Sequence, residues 1–492
     1  MSTTPLQRAL ILLTATTITF LYAMTVSIAN VSLPQMQGAL SATQDQIAWV
    51  ITFNIVATAV VTPMSGWLVG RFGRRRLVLV CVVLFALASL LCGLAQSLEA
   101  LVFYRILQGG CGAPLVPISQ AIVLDTYPKH QHSAATAIFG MGVVFGPIFG
   151  PVAGGYLSEA YNWRFVFFMI LPFTLVALLC AWVFIHDNAK RLNTRLDWTG
   201  FLALAVCIAA LQLMLDRGEN AGWFDSWEII IYAGLCLTAL YVGIVHCLTT
   251  DSPFLPLGLL KNRNYVVGLA VVLVFGMLNF TPMTLLPPLL QNLGGHPDSV
   301  IGVVLGARGL GTLTGFTFMF FASRVEPRVL LAAGFLLQAF AGWWMAQMDL
   351  SLSLSSLYGA IYLQGLGVGI LWVPISVVAF STLAPALVSD GTAFFHLLRN
   401  IGSSIHISLS VSLVIRSAQT SYSELSRHVS PFNENWLLPW VSGGYSRSST
   451  EGLMVMSGEL ARQAAMIGYI NSFYFFAVTA LVVLPMIVLV RR

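Results

Sequence analysis

Arg105, Arg308, Arg399, His396 and His406 are ionisable side chains set inside long apolar runs. Such residues are costly to keep there and are candidates for function by default. Arginine offers planar, paired donors suited to a carboxylate. Histidine titrates near neutral pH and can pass protons. At about 100° per residue, Arg399 and His406 nearly align on one helix face, with His396 roughly 60° away. The carboxylates fall elsewhere: Asp45, Asp125, Glu159, Asp197, Asp216, Glu228, Asp349 and Asp390 lie at run ends or in loops. A cavity with cationic and no anionic side chains prefers anions. Thr25, Asn30, Asn54 and Gln120 are polar positions that could line it with Arg308 and Arg399. Plainer roles compete with these. Arg105 can hydrogen-bond broken backbone in the fifth run, Arg308 and Arg399 can snorkel to an interface, and each histidine can bond a neighbouring helix.

Other chemistries have no residues to carry them. No G-x-x-x-x-G-K-[ST] loop occurs, and none of Lys129, Lys190 and Lys261 follows a glycine, so no ATP-binding loop is expected. No H-E-x-x-H or paired Cys-x-x-Cys pattern suggests a metal, and no cofactor is implied. The 7 cysteines all sit in apolar runs, which reads as packing rather than a disulfide framework. A pump built this way would draw on an ion gradient.

The elements that position these residues are helical. Of 492 residues, 57% are hydrophobic and 9% charged, and the mean hydropathy is +0.84. These values exclude a soluble enzyme, a disordered chain and a nucleic-acid-binding protein, and they match an all-α polytopic membrane protein. Apolar runs lie near 9–32, 47–69, 77–95, 101–123, 134–157, 164–185, 198–215, 228–247, 266–289, 300–321, 329–347, 356–380, 391–414 and 467–490. The first is too long for a signal-peptide core. Fourteen spans put both termini on one side. Arg8, Arg71, Arg74, Arg75, Arg76, Lys129, Lys190, Arg191, Arg195, Lys261, Arg263, Arg324, Arg328, Arg491 and Arg492 fall on that side, while the short opposite loops hold only Arg164 and Arg217. The asymmetry predicts cytoplasmic termini and an outward-facing polar loop at 416–466.

The chain also repeats itself. Leu107-Gln-Gly-Gly-Cys-Gly-Ala-Pro-Leu-Val-Pro-Ile-Ser119 resembles Leu363-Gln-Gly-Leu-Gly-Val-Gly-Ile-Leu-Trp-Val-Pro-Ile-Ser376, with one residue inserted. Two copies of a six-helix unit (1–186 and 256–492) with an inserted helix pair (198–247) fit the span count. Such repeats mark secondary transporters, with the site between the halves.

Three motifs are dense in functional residue types. Gly66-Trp-Leu-Val-Gly70-Arg71-Phe-Gly73-Arg74-Arg75-Arg76-Leu77 is a tight basic turn between the second and third spans. Arg105 lies about one turn inside the fourth span, with Gln108, Gly109 and Gly112 on its face. The fifth span carries Gly140, Gly142, Gly146-Pro147, Gly150-Pro151 and Gly154-Gly155. Small residues every four positions admit a close helix neighbour, and the prolines free carbonyls and favour a kink. With Ala29-Asn30-Val31-Ser32-Leu33-Pro34, Trp163-Arg164, Leu213-Met-Leu-Asp216-Arg217-Gly218, Leu285-Leu-Pro287, Leu398-Arg399-Asn400-Ile-Gly402-Ser403 and Ser430-Pro431-Phe432-Asn433, the order resembles the major facilitator superfamily, specifically its fourteen-span drug:proton antiporters of the EmrB/QacA type and the EmrB branch.

The resemblance implies a major facilitator fold of two six-helix bundles plus two central helices, in the inner membrane. It implies export of hydrophobic compounds in exchange for protons. Arg105, Gln108, Gly146, Pro147, Gly150 and Pro151 would form the coupling and gating unit. It also implies a periplasmic adaptor and an outer-membrane channel, for which Phe432, Trp436, Trp440 and Tyr445 in the outer loop offer a docking surface. The chain departs from the pattern at Thr25, Gly70 and Asn471, where the family usually has acids, and at Ile170, where it commonly has Asn. Its acid-free spans point to weakly acidic amphipaths, fatty acids or uncouplers among them, with His396 and His406 or the substrate itself as proton carrier. An uptake or metabolite transporter, and a scaffold or receptor that has lost transport, are the alternatives on this fold.

Overall fold

The computed structural model describes residues 4–186, 196–250, 253–254, 257–322, 325–351, 353–384, 387–429 and 450–487. Among these there is no strand, and fourteen helices are long and apolar enough to cross a membrane. In the first part of the chain they are α1 Pro5–Thr25, α2 Trp49–Phe72, α3 Arg74–Leu94, α4 Leu98–Thr126, α5 Lys129–Ser158, α6 Phe165–Phe184 and α7 Trp198–Arg217. The rest are α8 Trp227–Thr249, α9 Arg263–Leu293, α10 Val300–Phe321, α11 Pro327–Met345, α12 Leu354–Phe380, α13 Val388–Arg427 and α14 Thr450–Ile487. Their outward faces remain apolar, with Leu84, Leu87, Leu179, Leu237 and Phe318 exposed. In water such faces would be a liability; in lipid they are the solvated surface. The protein is an all-α, multi-pass membrane protein.

Local sequence sets the helix ends. Thr4 with Gln7 and Thr43 with Gln46 form capping boxes at the starts of the helices leading into α1 and α2. Ser97 and Asp197 accept from the Ala100 and Gly200 N–H groups to start α4 and α7. These side chains satisfy amides that the helix itself cannot. Gly73, at φ +82°, makes the turn between α2 and α3, a conformation that a Cβ would strain.

Two sets of helices pack by the same plan. In the first, α1 lies along α5 and α2 along α4; in the second, α9 lies along α13 and α10 along α12. Glycine governs the approach: a Cβ at Gly146 would lie 2.6 Å from the Met24 nitrogen, and one at Gly402 2.1 Å from the Leu273 oxygen. The sets meet through α5 with α10 and α12, and through α13 with α2 and α4. Helix α7 packs on α2 and α13, while α8 packs mainly on α7 and buries only Ile229.

One sequence expectation is corrected. Residues 416–427 and 450–466, read as part of an outward loop, continue α13 and α14 as helix. Their polar composition breaks the apolar run but not the helical backbone. The 40-residue helix of α13 spans about 60 Å, twice a bilayer's roughly 30 Å core. Phe432, Trp436, Trp440, Tyr445 and the Ser430–Asn433 motif lie outside the described residues, as do Lys190, Arg191, Arg195, Arg324, Arg491 and Arg492.

Candidate functional site

Each set of helices encloses a buried glutamine that receives a guanidinium. In the first, Arg105 Nη1 donates to Gln108 Oε1 (2.6 Å), Gln108 Nε2 to Ser89 Oγ (2.7 Å), and Arg105 Nε to the Val50 carbonyl (3.1 Å). Asn54 Nδ2 donates to the Arg105 carbonyl at 2.8 Å, and the guanidinium lies over the Phe167 ring. These partners stand on α2, α3, α4 and α6. The carbonyl that Arg105 relieves is therefore on the second span, not the fifth. Among the described residues no hydrogen bond joins Arg105 to α5.

In the second set, Arg308 Nε donates to Gln364 Oε1 (2.7 Å), and Gln364 Nε2 to Gln338 Oε1 (3.2 Å). Arg308 Nη2 donates to the Asn279 carbonyl (2.7 Å) and to Asn279 Oδ1 (2.6 Å), and Nη1 to Met283 Sδ (3.3 Å). Gln108 and Gln364 occupy the same place in the repeated LQG sequence.

Arg308 and Arg399 line one cavity where α5, α9, α10, α12 and α13 meet; Pro147, Asn279 and Trp372 also border it. Its described lining includes no carboxylate. The cavity measures about 20 Å³, room for one or two waters. Gly146 packs on α1 behind Pro147, which lets α5 present its proline edge to the cavity. Gly150 is buried on the same helix. The side chain of Pro151 lies outside the described residues.

One end of the molecule is bridged. Gln120 on α4 reaches across to α13 and α12: His396 Nε2 lies 2.5 Å from Gln120 Oε1, and Gln120 Nε2 donates to Ser376 Oγ at 3.4 Å. An amide oxygen only accepts, so the ring N–H donates. Further toward the arginine-rich turn, Lys129 Nζ donates to the Ser381 carbonyl at 3.0 Å. Arg74 pairs with Asp125 and reaches Ser389 Oγ at 3.4 Å. Asp390 packs so tightly on Gly66 that a Cβ there would overlap its carboxylate. The close approach that a glycine permits in this tight turn is thus made by Asp390.

At the other end α7 and the turn that follows it touch both sets. Thr52 Oγ1 donates to Asp216 Oδ2 (2.5 Å), Ser408 Oγ to the Leu215 carbonyl (2.6 Å), and Trp223 Nε1 to Ser412 Oγ (3.2 Å). Outside the spans, Asp197 is partly buried, which pushes its carboxyl up. Hydrogen bonds from Gly200 N–H, His246 and Phe254 N–H outweigh that and hold it below the usual carboxylate range.

The remaining sequence candidates divide. Thr25 donates to its own helix at the Leu21 carbonyl (2.8 Å) and does not border the cavity. Asn54 is spent on Arg105. The side chain of Asn30 lies outside the described residues. His406 sits 2.8 Å from Thr281 Oγ1 and stacks on Phe475, away from the cavity lining. Sequence reasoning missed Trp372, Asn279, Gln338 and Gln364 as parts of the site. The LQG repeat was the signal for Gln364; nothing in the linear sequence marked Trp372 or Asn279.

A repeated helical bundle with a polar-edged cavity between its halves defines a membrane secondary transporter. The chain belongs to the Major Facilitator Superfamily, which it matches over residues 15–406. It is 32% identical to the multidrug export protein EmrB of Haemophilus influenzae, over 94% of this chain and 91% of that one. It is 30% identical to the fatty acid resistance protein FarB of Neisseria gonorrhoeae, over 96% and 94%. Among solved structures, the human organic anion transporter MFSD10 superposes with a TM-score of 0.62 at 15% identity, covering 99% of this chain and all (100%) of that one. The protein is thus a secondary transporter of small molecules, not an enzyme.

Proposed function

We propose that this transporter exports hydrophobic, weakly acidic amphipaths in exchange for protons. The observation that carries this reading is a cavity with two guanidiniums, Arg308 and Arg399, apolar walls, and no carboxylate among its described lining residues. Such a site stabilises an anion and repels a lipophilic cation. The names of the similar proteins, a multidrug exporter and a fatty acid resistance protein, support export and an acid. The basic turn and Lys129 face the cytoplasm of an inner membrane in this reading, so the bridged end is the cytoplasmic gate. Alternating access breaks the Gln120–His396 and Lys129–Ser381 contacts, and the α7 contacts with α2 and α13 define what must shift at the outer end. His396 and His406 are the candidate proton carriers. Thr25 and Asn30 stay candidates for a widened cavity. A periplasmic adaptor would engage the projecting ends of α13 and α14.

One proton entering for one monoanion leaving moves two charges, about 4.6 kcal/mol at 100 mV. That suffices for a gradient of about a thousandfold. The test is transport in proteoliposomes with an imposed pH gradient, comparing decanoate with tetraphenylphosphonium. Gradient-dependent movement of decanoate alone is expected; movement of the cation alone would overturn the acid reading.

A further inference from the structure

Arg308 and Arg399 border the same cavity, yet their hydrogen bonding differs. Arg308 spends Nε, Nη1 and Nη2 on Gln364, Met283 and Asn279. Among the described residues Arg399 makes one hydrogen bond, from Nη2 to Oδ1 of its chain neighbour Asn400 at 3.2 Å. Its Nε is buried with no partner among the described residues, and so is Nε1 of Trp372. Arg399 is 7% exposed and Trp372 3%, so neither donor has bulk water as a substitute. Buried N–H groups are nearly always satisfied, and an exception calls for a ligand or a functional reason. The two residues are adjacent: the guanidinium carbon lies 5.5 Å from the Trp372 ring centroid.

The backbone holds them in place. A Cβ on Gly276 would sit 2.0 Å from the Arg399 carbonyl oxygen, so α9 presses directly on α13 at this residue. Trp372 also packs against Phe275 and Phe395. A donor group on fixed helices with open valence is the form a preorganised binding site takes.

We infer that Arg399, together with the indole N–H of Trp372, receives the carboxylate of the transported acid, while Arg308 is a pillar that ties α9, α10 and α12 together and lends only its charge. The inference rests on the acid-export reading above and names where its head group sits. A guanidinium edge matches the two oxygens of a planar carboxylate, and the indole adds a single further donor. Phe275, Phe280, Val144 and Val368 supply the apolar wall for the hydrocarbon.

The test uses the full-length protein, purified in detergent, with radiolabelled decanoate and decanol as probes and decyltrimethylammonium as a competitor. The wild-type protein is expected to bind decanoate more tightly than decanol. Arg399→Lys keeps the charge but loses the planar fork, and is expected to raise the decanoate Kd about tenfold. Trp372→Phe keeps the ring and loses the donor, and is expected to raise it about threefold. Both should leave the decanol Kd unchanged. Arg308→Lys should weaken both probes alike and lower the melting temperature. Size-exclusion profiles and melting temperatures identify the folded variants. Folded Arg399→Lys and Trp372→Phe proteins with wild-type decanoate binding would overturn the inference, as would equal losses for decanoate and decanol. A wild-type protein that binds the cation and not decanoate removes the acid-export reading itself. A wild-type preference for decanoate that survives both substitutions removes only the head-group assignment.

Discussion

The two repeats build one glutamine hub and hang its arginine from opposite helices. In the first, the arginine is Arg105, one turn before Gln108 on the same helix, and the residue packed on Gly109 is Asn54. In the second, the place of Arg105 is Ile361, and the residue packed on Gly365 is Arg308. Both guanidiniums reach the glutamine oxygen at about the same distance, 2.6 and 2.7 Å. Their surroundings differ. Arg105 is fully buried among α2, α3, α4 and α6, whereas Arg308 borders the cavity between the repeats. A shared scaffold therefore yields a sealed structural charge in one half and a cavity charge in the other, through an exchange of residue types across one helix contact.

The sharpest way to break this comparison is Arg105→Ala. It leaves Gln108 Oε1 and the Val50 carbonyl without their donor in a low-dielectric core. Each orphaned acceptor costs about 1–3 kcal/mol, and we expect loss of transport as well, read as a fall in melting temperature in detergent and in drug resistance at equal expression. Normal resistance would remove Arg105 from the mechanism.

Next in size are the paired substitutions Gly109→Ala and Gly365→Ala. The added Cβ would lie 2.3 Å from the Asn54 carbonyl and 2.0 Å from the Arg308 carbonyl. Each is overpacking against backbone and should cost about 1–3 kcal/mol, Gly365→Ala the more. If the comparison holds, both lower the melting temperature, but only Gly365→Ala also changes substrate binding, because it displaces the helix that carries Arg308.

The contacts that bridge the end with the arginine-rich turn come third. Gln120→Leu removes the acceptor for His396 and the donor to Ser376, and Gly66→Ala pushes Asp390 off the basic turn. Both should raise cysteine labelling from the side of the arginine-rich turn at positions lining the cavity, by about twofold to fivefold. Unchanged labelling would mean that this end is closed by packing alone.

The smallest effect concerns the α7 cap, which stands apart from both glutamine hubs. Asp197 is held below the usual carboxylate range, so its stabilising contribution exists at neutral pH and is lost as pH falls through its depressed value. Asp197→Asn should lower the melting temperature slightly at pH 7, and the gap to the wild-type protein should close below pH 4. A gap independent of pH would assign the effect to hydrogen bonding alone.

Much of the fold could be read from apolar run length. A bilayer accepts only segments that satisfy their own backbone, so runs of about 20 residues must be helices. The fourteen spans appear where those runs lie, apart from the polar extensions of α13 and α14. There the chain stays helical beyond its apolar stretch, which hydropathy does not report. The LQG repeat disclosed two copies of one unit but not the hub that each builds on its glutamine, and Arg105, Arg308 and Arg399 stood out because charge in an apolar run is rare.

Periodicity assigns a residue to a face of its own helix but does not say what that face meets. His396 and His406 share a helix and look alike in sequence; one faces Gln120 across the repeat boundary, and the other stacks on Phe475. Arg308 and Arg399 look alike as well, until Asn279, Met283 and Gln364 are seen to occupy one and leave the other. The sequence by itself determined the class of protein, its spans, its repeat and its short inventory of buried charges, because these follow from composition and local pattern. Which charge borders the cavity with its donors occupied and which keeps a donor open was decided only by tertiary structure, because the partners of Arg308 lie up to 56 residues away in the chain and meet it through helix packing.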